Sequence, residues 1–427
     1  MTHHDAALLA ALADADEDRI VFDLAGIEAR HDSLLRELPG VAVRFAMKAC
    51  PLDEVVASLA ERGAGADAAS PNEIAQAIAA GVPAQRIHYG NPVKSDRSIA
   101  QAHRLGVRDF ATDSREDVAA IARHAPGSRV FCRLATDGAG ALWGLSEKFG
   151  CSAADAVRVL RAARQAGLTP SGLSVHVGSQ QMTHEAWQRA FDLLTEALEA
   201  LAGQGIALDH VNLGGGLPAL GYLDGHGRPL DPPIDKIFAV IREGMERCAR
   251  VPGHRLRFVI EPGRHLVADH GAVRAHVARL TTRRDAGGRP MRWLYLSCGK
   301  FNGLYEMDDV RYPLVFPTHP DGPRVPAVVA GPTCDSADTH TPGRPPVLVP
   351  EALASGDPVW VMSSGAYAVS YMSQGFNGFA PLPHRCVRGA GGSRREGAGP
   401  GEGGGPGEGG GFGAGGFRAG GSPGEAG

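Results

Sequence analysis

Eight short apolar runs alternate with helical stretches across residues 25–265, and that alternation confines the chain to a few α/β architectures. The runs cover residues 43–47, 66–69, 87–89, 109–112, 130–134, 173–177, 210–213 and 257–260. Between them lie helical stretches at 52–62, 71–80, 114–123, 154–166 and 185–203. Many are rich in Ala and Leu, which lose little freedom in a helix. Ser70 followed by Pro71 reads as an N-cap with proline at the first helical position. Eight strand–helix repeats predict a (β/α)8 barrel of the TIM type. The alternative is an open doubly wound sheet, which usually needs fewer repeats and often has a Gly-rich first turn, missing here.

After residue 265 the pattern changes. Strand-like runs at 273–279, 292–297, 327–330 and 359–362 are separated by Gly, Pro and Asp turns, which predicts an all-β domain over 266–388. Residues 1–24 are expected to join it, with 20–24 as an added strand. From Gly389 to Gly427, 20 of 39 residues are Gly, with two aromatics and no aliphatic larger than Ala. Such a segment cannot bury enough apolar area to offset its ordering entropy, so a disordered tail is expected.

Composition excludes several function classes. A net charge of −4 gives no basic footprint for nucleic acid. No apolar run reaches the ~18 residues that span a membrane, and the acidic start lacks the features of a secretory signal. The seven cysteines are scattered, odd in number and without a C-x-x-C pair. They argue against a disulfide framework or a metal site, and for a reducing cytoplasm.

The chemistry-bearing residues fall at strand ends, where a barrel enzyme builds its site. Lys48 ends the first run. A strand-end lysine ordinarily reaches to solvent, but one whose pKa is lowered by its surroundings is a good amine nucleophile. His176-Val177-Gly178-Ser179 closes the sixth run, Gly214-Gly215-Gly216 follows the seventh, and Glu261-Pro262-Gly263-Arg264 follows the eighth. Taken singly these are a rim histidine, a tight turn and a solvated surface pair. A triple glycine also lets backbone N–H groups form an anion nest.

In family order over residues 20–388, the chain resembles the barrel-type pyridoxal phosphate decarboxylases of ornithine, diaminopimelate and arginine. The resemblance is carried by Phe45-Ala46-Met47-Lys48-Ala49, Ala66-Asp67-Ala68-Ala69-Ser70, Arg133-Leu134-Ala135-Thr136-Asp137, His176-Val177-Gly178-Ser179, Asn212-Leu213-Gly214-Gly215-Gly216, Glu261-Pro262-Gly263-Arg264, Gly331-Pro332-Thr333-Cys334-Asp335, Gly365-Ala366-Tyr367 and Phe376-Asn377-Gly378-Phe379. It implies a head-to-tail homodimer with sites at the interface and pyridoxal 5'-phosphate held through Lys48. By the same resemblance, Glu261 faces the pyridine nitrogen and His176 stacks on the ring. Ser179, Gly214, Gly215, Gly216, Gly263, Arg264 and Tyr367 hold the phosphate end, and Asp67 and Arg133 support the site. Cys334 of the second subunit returns a proton to the α-carbon.

Asp335 after the cysteine resembles ornithine- and lysine-type members, where diaminopimelate-type members resemble Cys-Glu. A carboxylate there suits a distal ammonium, so ornithine is the first expectation and lysine the next. One methylene is worth only about 1–3 kcal/mol of discrimination. The Tyr-Asp pair of many ornithine decarboxylases has no clear match in Lys300-Phe301-Asn302-Gly303-Leu304-Tyr305-Glu306-Met307-Asp308-Asp309, where Glu306 or Asp308 is the candidate for the distal amine. The alternatives are a decarboxylase of diaminopimelate or a modified basic amino acid, a non-catalytic partner-binding homologue, and a barrel-type racemase. A racemase needs a second base opposite the lysine and commonly has Arg in place of Glu261.

Overall fold

The computed structural model describes residues 6–144, 147–284, 287–339 and 345–389. The chain opens with α1 (Ala6–Ala13), β1 (Arg19–Asp23) and α2 (Leu24–Glu37). It then lays down β2 (Val41–Ala46), α3 (Asp53–Glu61), β3 (Gly65–Ala68), α4 (Pro71–Ala79), β4 (Ile87–Tyr89), α5 (Asp96–Arg104), β5 (Asp109–Thr112), α6 (Arg115–His124) and β6 (Arg129–Arg133). Next come β7 (Ala141–Trp143), α7 (Ala153–Gln165), β8 (Thr169–Ser174), β9 (Ser179–Gln181), α8 (Glu185–Gly203), β10 (His210–Asn212), α9 (Ile234–Ala249), β11 (Arg257–Ile260) and α10 (Arg264–Val267). Strands β2–β6, β8, β10 and β11 pair in parallel and close into a barrel, with β11 returning to β2. The expected (β/α)8 architecture is therefore present. The short pair β7–β9 stands outside it as a two-stranded sheet.

The remaining strands are β12 (Gly271–Arg284), β13 (Pro290–Leu296), β14 (Leu314–Val315), β15 (Arg324–Ala330), β16 (Val347–Pro350), β17 (Pro358–Val361) and β18 (His384–Val387). They form one mixed sheet in the order β14-β17-β12-β13-β15-β16. Strand β1 joins it, antiparallel to β12 and parallel to β18. Its Ile20, Val21 and Phe22 are fully buried. No helix among the described residues is long and apolar enough to cross a membrane. The glycine-rich segment from residue 390 onward lies outside the described residues.

Two differences from the sequence reading bear on the site. The run at 43–47 is strand only to Ala46, and Met47–Ala49 forms a single 3₁₀ turn that carries Lys48 past the strand end. The run at 173–177 is displaced. Strand β8 starts at Thr169 and stops at Ser174, so His176 stands on the loop above it. Residues such as Pro170, Ser171 and Gly172 carry no apolar pattern, and their strand state comes from pairing with β6 and β10.

Candidate active site

The turn bearing Lys48 is fastened from two sides. Ala46 N–H donates to Pro262 O at 3.2 Å, and Tyr367 N–H donates to Ala49 O at 2.7 Å. Gly263 comes so close that a Cβ there would lie 2.8 Å from Ala49 Cβ. The barrel strand, the loop after β11 and the Tyr367 loop of the sheet thus fix one another. Lys48 opens into a cavity of about 210 Å³ whose walls include Asp67, Phe131, Arg133, Phe149, His176 and Glu261.

Lys48 Nζ lies 3.6 Å from Asp67 Oδ2, and its side chain is 50 % exposed toward that cavity. Burial alone would lower its pKa, as the sequence reading supposed. The charges of Asp67, Tyr367 and Glu261 outweigh burial and raise it instead. The unliganded lysine is therefore an ammonium ion. Asp67 is held below the usual carboxylate range: burial opposes this, and Lys48 and His88 overcome it. Gly90 makes room for the carboxylate, since a Cβ there would sit 1.9 Å from Asp67 Oδ1.

Glu261 is anchored through one oxygen. Asn212 Nδ2 donates to Oε1 at 2.5 Å, and His88 Nε2 lies 2.8 Å from that same atom. Ligand-type atoms of Asp67, His88 and Glu261 fall within 4.8 Å of one another, an arrangement that could also hold a cation. His88 was missed in sequence. Its signal is a polar residue between Ile87 and Tyr89 in a three-residue strand, hence on the opposite face from both. His176 is neutral, its pKa pushed down to about 3 by burial and by the charges of Arg133 and Lys48. Its Nδ1 accepts from Gly178 N–H at 3.1 Å, which leaves the proton on Nε2. Gly215 is needed at its closest approach, for a Cβ there would be 3.0 Å from His176 Nε2.

A second cavity of about 330 Å³ is lined by Ser179, Arg264, Tyr367 and Glu306, together with Trp143, Lys300 and Tyr305. Arg264 donates from Nη2 to Ser179 Oγ at 3.2 Å and from Nη1 to Tyr222 Oη at 2.9 Å. Both of its terminal nitrogens also meet the Glu306 carboxylate, Nη2 at 2.6 Å from Oε1. The ring of Trp143 covers the guanidinium at 4.2 Å and that of Tyr367 at 4.8 Å. Trp143 and Tyr222 were likewise not foreseen. Glu306 is buried against Arg264, and a distal ammonium would have to compete with that guanidinium for it.

The cofactor implied by the resemblance fits this donor set. Gly214 N–H is taken by Asn212 Oδ1 at 2.9 Å, but the N–H groups of Gly215 and Gly216 have no protein acceptor among the described residues. Two free amides beside a serine hydroxyl and a guanidinium suit a phosphate. A lysine and a carboxylate in the adjoining cavity suit an aldehyde and a ring nitrogen. Cys334 and Asp335 line neither cavity. Cys334 is exposed, and its N–H is held by Asn377 Oδ1 at 2.9 Å.

Comparison with known proteins agrees with this geometry. The chain is 30% identical over 367 residues to a lysine/ornithine decarboxylase of Selenomonas ruminantium, covering 85% of this chain and 88% of that one. It is 27% identical over 376 residues to ornithine decarboxylase 2 of Drosophila melanogaster, covering 87% and 91%. The structure superposes with a TM-score of 0.76 on a lysine/ornithine decarboxylase from Vibrio vulnificus complexed with putrescine, at 27% identity, over 89% of this chain and 96% of that one. The family profile described as pyridoxal-dependent decarboxylase, pyridoxal binding domain, matches residues 24–268. With more than half of the chain inside that profile and the lysine, carboxylates and anion nest in place, this chain belongs to the pyridoxal-dependent decarboxylases.

Proposed function

We propose that the protein removes carbon dioxide from a basic L-amino acid, ornithine first and lysine next, as a cytoplasmic homodimer with shared sites. The observation that carries this reading is Lys48 beside Asp67 in the cavity that also holds Glu261 and His176. Bound there, pyridoxal phosphate supplies an electron sink for the pair left behind when carbon dioxide departs.

The residues divide the remaining work. Lys48 must give up a proton before its amine can attack an aldehyde. Glu261, oriented by Asn212 and His88, would face the ring nitrogen with its carboxylate. His176 is an uncharged flat surface for the ring. Arg264, Ser179 and the free amides of Gly215 and Gly216 would take the phosphate. Cys334 lines neither of the two cavities described above and is exposed, which supports a role in the site of a second copy, as a proton donor to the α-carbon. General acid–base groups of this kind contribute about 10²–10⁴-fold in rate. Asp335 beside it would meet the distal ammonium, and the resulting diamine is of the polyamine class.

The test is carbon dioxide release from L-ornithine, L-lysine, L-arginine and meso-diaminopimelate with added pyridoxal phosphate. Preference for ornithine or lysine is the expected result. Activity on diaminopimelate alone would overturn the assignment of Asp335, and no release from any of the four would overturn the proposed substrate class.

A further inference from the structure

His88 touches neither the lysine nor the phosphate end of the site, yet it is fully buried at its centre. It projects from β4, with the Phe131 ring 5.2 Å away. Its Nε2 lies 3.1 Å from Asp67 Oδ1 and 2.8 Å from Glu261 Oε1. One nitrogen therefore stands between the carboxylate that pairs with Lys48 and the carboxylate that faces the ring-nitrogen position. We propose that His88 is a positioning residue of this active site: its Nε2–H bridges Asp67 and Glu261 and leaves Glu261 Oε2 as the oxygen offered to the cofactor's ring nitrogen.

Three observations support this. His88 and Asn212 both act on Oε1 of Glu261, while Oε2 has no protein donor among the described residues. The two functions of that carboxylate, being held and being offered, are thus split between its oxygens. His88 Nδ1 is buried without a partner among the described residues. An orphaned buried N–H is rarer than an orphaned acceptor, which puts the proton on Nε2. The charged groups around the ring point the same way. Burial and Arg44 on β2 oppose a positive charge on the ring, Glu261, Asp67 on β3 and Asp109 on β5 favour one and prevail, and Nε2 carries a proton whether the ring is charged or neutral in this tautomer.

Without that bridge, two carboxylates would face each other across a buried gap. Like charges at such range drive one of them to take up a proton nearer neutral pH. A Glu261 that is protonated or turned no longer holds the proton on the ring nitrogen. His88 does not touch the amino acid in this reading, so its loss acts through the cofactor.

The inference rests on the proposed function for the placement of the ring nitrogen. The experiment uses His88→Leu and His88→Gln in the cofactor-loaded protein. Glutamine returns an amide donor to roughly the Nε2 position, and leucine returns none. For His88→Leu we expect cofactor binding weaker by about tenfold or more, as for other outer groups that orient a site. The pH at which the visible cofactor band titrates should shift by one unit or more. The kcat should fall at least about tenfold while KM changes less than about threefold, and His88→Gln should recover to within about threefold of the parent. A folded His88→Leu protein with unchanged cofactor affinity and unchanged band titration overturns the proposal while leaving the function intact. If His88→Leu fails to fold, ¹⁵N histidine spectra of the parent decide, with His88 identified by its loss in His88→Gln. Nε2 protonated from pH 6 to 8 supports the bridge, and a bare Nε2 overturns it. A parent protein with no cofactor band and no carbon dioxide release overturns the function reading and this one together.

Discussion

Glu306 is the residue whose surroundings speak most directly to cofactor loading. Its carboxylate spans both terminal nitrogens of Arg264, with both side chains buried. It therefore sits where a phosphate oxygen would be expected to meet the same guanidinium. Breaking a buried pair by removing one partner costs about 3–5 kcal/mol, but here an incoming phosphate can replace the lost charge. Glu306→Gln is expected to lower the melting temperature of the cofactor-free protein, and saturating cofactor should restore more stability than it adds to the parent. The KM for ornithine should stay within about twofold. A raised KM with unchanged cofactor stabilisation would return Glu306 to the distal ammonium, the role suggested by its sequence position. Places at strand ends marked Lys48, Glu261 and Arg264 as candidates, and the family resemblance supplied their expected roles. What they could not show was which pairs touch. The raised pKa of Lys48 depends on the distance to Asp67 across β3, and the role of His88 depends on the barrel's curvature bringing β4 opposite the end of β11.

At the scale of elements, short-range signals were strong where the chain carries its own punctuation. Ser70 caps α4 by accepting from Glu73 N–H at 3.2 Å, and Glu73 returns a bond to Ala69 N–H at 2.6 Å. That reciprocal cap closes the turn three residues after Asp67, so the helix start and the site carboxylate are fixed together. Ser70→Ala is expected to cost about 1 kcal/mol. A thermal or urea unfolding midpoint measures this, and the drop in melting temperature should be on the order of 1–2 °C. An unchanged midpoint would mean that Glu73 alone suffices to hold the turn. The runs at 87–89, 109–112 and 257–260 match β4, β5 and β11 end to end. Strands β7 and β9 were not legible, because Ala141–Trp143 and Ser179–Gln181 fall outside the strand–helix alternation and Ser179–Gln181 has no apolar residue. Their pairing nonetheless carries Trp143 to the face of Arg264.

For the molecule as a whole, buried neutral histidines set the acid limit of stability. His265 Nδ1–H donates to Pro218 O at 2.7 Å, and the ring packs edge-on to Phe238 and has its pKa pushed down to about 4 by burial and by Arg30. The unfolded chain takes up this proton near pH 6.5, the folded one only near 4. Stability from this group is complete above about pH 6.5 and is lost as pH falls toward 4, by about 3 kcal/mol at the lower end. His176 acts in the same direction down to about pH 3. Asp67, with its depressed pKa, loses its contribution in more acid solution still. The unfolding midpoint of the cofactor-free protein should therefore slide between pH 6.5 and 4. A flat profile there would show that solvent protons reach His265 in the folded state.

Strand β1 lies between β12 and β18, whose residues come some 250 and 360 positions later in the chain. At about 5–20 residues per second, a ribosome takes on the order of ten to fifty seconds to deliver the first of those partners. The barrel strands are all made within that interval, while Ile20, Val21 and Phe22 still lack the neighbours that bury them. The first strand translated is thus among the last to find its place, and a growing chain stalled before residue 270 would display a sticky apolar segment to whatever chaperone is at hand.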